Sequence, residues 1–178
     1  MNHRTTAGLL AATTLALTLA ACGGDESSSD KASAASSTGS TVATVKAQQD
    51  TDANAVYRTI HAAVTTTSLT AVVTETNDGN HLMGRPHQYT SALKFADSRI
   101  KAADVDGLEK DDVTRGGGIE VFVNHKDAQA RADYIQKVTQ GLPALSEYDF
   151  VHGSTVLRIS HILTLTQAKE YDQAGGKL

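Results

Sequence analysis

The residues best suited to chemistry are densest between Asn80 and Ser91, where the chain reads NHLMGRPHQYTS. Pro86 pushes Arg85 out of the helical region, and Gly84 permits a sharp bend beside it. The segment is therefore expected to be an irregular loop leading into a strand, with His81, Arg85, His87 and Tyr89 as its candidate ligand- or partner-binding residues. Arg85 could grip a carboxylate or phosphate with Tyr89 or His87 beside it. The plainer alternative is that Arg85 pairs with Glu75 or Asp78 and only fixes the loop.

Other constellations are weaker. His81 and His87 stand alone, with no HExxH, His-x-His or Cys-rich spacing around them, so no metal site is expected. Asp104, Asp106, Glu109, Asp111 and Asp112 could offer carboxylates to calcium, but the EF-hand order is missing. Lys101, Lys110 and Arg115 dilute that charge, and a solvated loop is the expectation. There is no G-x-S-x-G and no S-x-x-K with its partner motifs, so no catalytic residue is assigned. Gly116-Gly117-Gly118 precedes a strand rather than opening a helix, so it is no phosphate-binding loop, and no cofactor is expected.

Cys22 has the most specific setting. Residues 1–21 carry Arg4 and then an uncharged stretch from Ala7 to Ala21, shorter than a spanning helix and suited to a signal peptide. The stretch ends Leu19-Ala20-Ala21-Cys22, which resembles the lipobox of bacterial lipoproteins. That resemblance implies a diacylglycerol thioether on Cys22, cleavage before it, and attachment to the extracytoplasmic face of a cell membrane. Cys22 is the only cysteine, so an internal disulfide is excluded. Loss of Arg4 with the leader, against an unchanged 20 acids, takes the net charge from −4 to −5. A mildly acidic chain argues against nucleic acid as partner and leaves lipid, not charge, to make the membrane attachment.

From residue 22 to residue 50, Ser, Ala, Thr and Gly dominate and no apolar period appears. Such a segment cannot bury enough surface to offset its ordering entropy, and a coil of that length averages roughly 30 Å end to end. It reads as a tether carrying one domain over residues 51–178.

The domain must position the candidate loop with a core of Val, Ile, Leu and Ala, since Trp is absent and Phe numbers 3. Asp52 or Asn54 can cap a helix with Val56, Ile60, Ala63 and Val64 on one face, ending near Thr65 to Thr67. Strands are expected over Thr70–Thr76, over Gln88–Phe95 with Tyr89, Ser91, Leu93 and Phe95 on one face, and over Ile119–Val123. A polar loop runs from Asp97 to Gly118. Lys126–Gln140 is a helix with Ala128, Ala132, Ile135 and Val138 at helical spacing, stopped by Gly141 and Pro143. Tyr148–Val151 and Thr155–Ile159 flank a hairpin turn at His152-Gly153-Ser154, and Thr164 with Gln167 forms a capping box for a last helix through Ala174. The order α-β-β-β-α-β-β-α implies an α+β domain, a small antiparallel sheet of four to five strands covered by helices on one face.

The segments NHLMGRPHQYTS, GGGIEVFVN, DAQARADYIQ, EYDFVHG and LTLTQAKEY, spanning about residues 74–174, resemble a group of uncharacterised lipoproteins from high-GC Gram-positive bacteria. The resemblance implies the address and domain limits and carries no activity. The expected function is a membrane-anchored binding or interaction module facing an envelope protein or cell-wall component. Small-ligand or metal capture is the alternative, and an envelope hydrolase without a recognisable motif is a third.

Overall fold

The computed structural model describes residues 52–178. The leader, the Cys22 attachment point and the tether lie outside the described residues.

Helix α1 (Ala53–Ala63) begins where Asp52 accepts a hydrogen bond from the Ala55 amide at 2.7 Å. It buries Ala53, Val56 and Ile60. Strand β1 (Thr67–Val73) opens three residues earlier than its β-branched run suggested and also stops earlier. The stop has a local cause: the Asn77 side chain accepts from the Thr74 amide at 2.6 Å and donates to the Val72 carbonyl at 3.0 Å, replacing ladder partners. A bulge between Leu69 and Ala71 shifts the register of β1 against β2 (Ser91–Asp97).

Between β2 and β3 the middle of the polar loop gathers around one side chain. The Arg115 guanidinium donates to the carbonyls of Val105 at 3.0 Å, Leu108 at 2.7 Å and Glu109 at 2.8 Å. Two 3-10 turns, Ala102–Val105 and Val113–Arg115, are set into it.

Strand β3 (Gly116–Val121) includes the three glycines that were expected to close the loop. The reason lies on neighbouring strands. A Cβ on Gly117 would sit 2.5 Å from the Phe95 ring and 2.5 Å from the Arg158 carbonyl, so only glycine lets Phe95 lie across β3. Helix α2 (His125–Thr139), capped by Asn124, buries Ala128, Ala132 and Ile135, whereas Val138 is exposed off that face. Gly141, at φ 81°, follows its end. Strands β4 (Glu147–His152) and β5 (Thr155–Ser160) form the hairpin, with Gly153 at φ 56° in the turn. Helix α3 (Leu165–Gly175) starts on the full Thr164–Gln167 capping box.

All five strands pair antiparallel in the order β1-β2-β3-β5-β4, and the α+β class and element order agree with the sequence reading. The helices do not all cover one face. Leu93, Phe95, Ile119, Val121, Leu157 and Ile159 make one face wholly apolar, and α1 and α3 pack there. Tyr171 of α3 donates to the buried Asp97 carboxylate, which Arg99 also grips at 2.7 Å, tying α3 to the end of β2. The opposite face carries Ala92 and Val156 beside a row of charges, and α2 covers it from the β4–β5 side with its narrow alanine stripe. Tyr89 belongs to this second face, packed edge-on against Phe122, and not with Leu93 and Phe95 as its spacing suggested. It precedes β2, so strand alternation does not govern it.

Candidate functional site: a charged cleft beside α2

On the face shared with α2, the sheet register lines up Lys94 of β2, Gly118 of β3, Arg158 of β5 and Asp149 of β4. Glu120 lies two residues further along β3, on the same side. Arg131 reaches down from α2 to Glu120 with two hydrogen bonds, at 2.8 and 3.2 Å. Arg158 donates to Glu120 at 2.9 Å and grips Glu147 bidentately at 2.8 and 2.7 Å. The four side chains form a closed, neutral network. Burial works against the charged form of Glu120, but Arg158 and Arg131 outweigh it and hold its carboxyl below its ordinary range.

Two groups are left out of that network. The Asp149 carboxylate oxygens are both buried without a hydrogen-bond partner among the described residues. Burial, reinforced by Glu147, pushes its pKa up to about 7. Lys94 has neither an ion pair nor a hydrogen bond for its ammonium. Its stem lies in the trough left by Gly118, where a Cβ would come within 3.3 Å of Lys94 Cδ. Burial, with the nearby charge of Arg158, draws its pKa down to about 8.

The ammonium faces two adjoining clefts. The smaller, of about 170 Å³, runs over Ala71, Val73 and Ala92 to Tyr89. The larger, of about 360 Å³, runs past Arg131, Arg158 and Glu147 to His161. Asn80 and Asp111 line both; loop 77–80 walls the smaller cleft and segment 111–114 the larger. Each wall is braced from behind. Asp78 accepts from the Leu82 and Met83 amides at 2.8 and 2.9 Å, from the Asn80 amide at 3.0 Å, and from the Tyr89 hydroxyl at 2.7 Å. Burial opposes its charge, yet these donors together hold its carboxyl below the usual range. On the other side, Asp112 accepts from the Thr114 amide at 2.8 Å and Ser160 donates to the Thr114 carbonyl at 2.6 Å.

The four residues singled out in the sequence do not converge. Tyr89 is buried and braces loop 77–80 from within the smaller cleft. His87 lies along a separate cleft of about 440 Å³ between its loop and α2, bonded to Asp127 at 3.1 Å. His81 and Arg85 are exposed and line none of these clefts. Arg85 pairs with neither Glu75 nor Asp78, whose oxygens are taken by Tyr89 and backbone amides. Both histidines hold left-handed backbone, at φ 54° and 64°, which bends the loop tightly around Gly84.

Lys94, Glu120, Arg131, Glu147, Asp149 and Arg158 were not singled out in the sequence. For three of them the signal was a charge in the middle of an apolar strand: Lys94 between Leu93 and Phe95, Glu120 between Ile119 and Val121, Arg158 between Leu157 and Ile159. Without the strand order these charges could not be seen to meet.

Among the described residues no group of three or more His, Cys, Asp or Glu could hold a metal ion. His152 pairs with Asp172 at 3.0 Å and His87 with Asp127, and no serine hydrogen-bonds to either histidine. No described helix is long and apolar enough to cross a membrane. The chain matches no family model, and no curated protein or solved structure shows detectable similarity to it.

Proposed function

We propose that this chain is a lipid-anchored protein of the extracytoplasmic face of a cell membrane, and that its folded domain binds a small polar ligand in the cleft over Lys94. The anchor rests on Leu19-Ala20-Ala21-Cys22 closing an uncharged stretch that follows Arg4. One observation carries the binding reading: Lys94 is a desolvated cation facing a walled cleft with no acceptor of its own. A buried charge without a partner is costly, and its retention is explained when a ligand supplies the partner.

The test uses the full chain in detergent, in a thermal-shift screen against organic acids, sugars, nucleotides and amino acids. A ligand at 100 times its Kd adds about 2.7 kcal/mol of stability. At least one hit that disappears in Lys94→Met is expected, and silence across the panel would overturn the reading. The anchor is tested separately: Cys22→Ala should abolish labelling with a palmitate analogue and release the protein from membranes. Retained label in that variant would sink the anchor proposal.

A protein partner is the second reading, favoured by the edge position of β1, where Leu69 and Val72 are 45% and 44% exposed. In-cell cross-linking through those two positions distinguishes it from the cleft.

A further inference from the structure

The charges around the cleft narrow the chemistry of its occupant, taking the binding reading above as given. Arg131, Glu120, Arg158 and Glu147 satisfy one another. Asp112 is spent on the Thr114 amide. His161 lines the larger cleft alone, and the charged side chains that line both clefts are two: Lys94 and Asp111. They are opposite in sign, yet no ion pair or hydrogen bond joins them, and neither makes one to any other described residue; Glu120 and Glu147 attract Lys94 only from beyond contact. They stand on separate backbones, one in the centre of β2 and one in the segment leading to β3. A molecule seated at the junction of the clefts meets a lone cation on one side and a lone anion on the other.

The surrounding carboxylates exclude several ligand classes. A phosphate monoester would bring two negative charges to one free cation while facing Glu120, Glu147, Asp111 and Asp112. A polyamine would meet Lys94, Arg131 and Arg158. A ligand with one charge of each sign meets neither penalty. The smaller cleft, of about 170 Å³, sets Ala71, Val73 and Ala92 against Asn77 and the already bonded carboxylates of Asp78 and Glu120, and its volume suits a short side chain.

We propose that the cleft binds a small zwitterion, a neutral amino acid or an amino carboxylate of similar size, with its carboxylate on Lys94 and its ammonium on Asp111. Both residues are then recognition groups, each answering one end of the ligand. The smaller cleft takes the side chain and the larger keeps room for water or a short extension.

Calorimetric titration of the full chain tests this with glycine, L-alanine and L-valine, and with two analogues of valine: isovalerate, which lacks the amine, and isobutylamine, which lacks the carboxylate. At least one amino acid should bind, with valine at least tenfold tighter than either analogue if valine is that ligand, or alanine likewise against propionate and ethylamine. Lys94→Met and Asp111→Asn should each weaken binding at least tenfold while circular dichroism shows an intact fold. Neither side chain makes a hydrogen bond or ion pair in the protein, and methionine keeps the length of the Lys94 stem over Gly118. Isovalerate or propionate binding as well as its parent would overturn the zwitterion and leave a simple anion site. The same holds if no amino acid binds but another compound of the screen responds in a Lys94-dependent way. No response to any compound would mean that water alone bridges Lys94 and Asp111, and both readings would fall.

Discussion

Lys94 and Asp149 stand at the two ends of one row across the sheet, with opposite titration behaviour. Lys94 is drawn down from 10.5 to about 8, so between those values the unfolded chain holds the proton that the folded chain has lost. Stability should therefore rise as pH increases from about 8 to 10.5. Asp149 is pushed up from 3.8 to about 7, so between those values the folded chain holds the extra proton. Its contribution is present below pH 4 and lost as pH rises through 7. A stability minimum near pH 7 to 8 is the expected sum, and denaturant midpoints across pH 5 to 10 check it. Asp149→Asn should stabilise the protein by about 1–3 kcal/mol at pH 8 and flatten the slope between pH 4 and 7. Ligand binding adds a third signature. A carboxylate on Lys94 favours its protonated form, so affinity should fall above pH 8 and hold steady from pH 6 to 7, as titrations in that range would read out.

At the scale of elements, what could be read from the sequence was what is local. The Thr164–Gln167 capping box, the Gly153 turn and the alanine spacing of α2 each lie within a few residues, and each stands in the structure as expected. The glycines of β3 could not be read that way, because their cause is a ring on β2 and a lysine stem lying over the strand. The division of helices between two faces was equally hidden, since it depends on which strands bring Lys94, Glu120 and Arg158 together. The site followed the same rule. The loop of His81 and Arg85 looked chemical in one dimension, but its braced portion is Asp78 to Asn80, held from Tyr89. Gly117 and Gly118 give a paired prediction. Gly117→Ala meets backbone and the Phe95 ring at 2.5 Å and should cost about 2–4 kcal/mol or prevent folding. Gly118→Ala meets the flexible end of Lys94 at 3.3 Å and the Leu93 carbonyl only at 3.4 Å, and should fold, while displacing the ammonium and weakening the ligand. Thermal melts and binding of the two variants separate these outcomes.

Across the whole molecule, the Arg131–Glu120–Arg158–Glu147 network joins α2 to β3, β5 and β4. Its side chains are 4% to 12% exposed, so its worth depends on completeness. Glu120→Ala would leave two buried guanidinium groups facing a lost acceptor, and a loss of about 3–5 kcal/mol in chemical denaturation is expected. High salt should leave most of that stability in place, because the pairs are shielded from solvent.

The irregularity in β1 gains weight from the proposed anchor. Copies fixed to one membrane surface meet far more often than copies diluted in three dimensions, and each presents an open sheet edge with two exposed aliphatic side chains. A flat edge under such crowding would template strand-to-strand growth between neighbours. The break between Leu69 and Ala71 interrupts that edge midway, so no long uninterrupted run of backbone donors and acceptors is on offer. If the proposed anchor holds, one extra residue would keep a dense two-dimensional population of these domains colloidally separate.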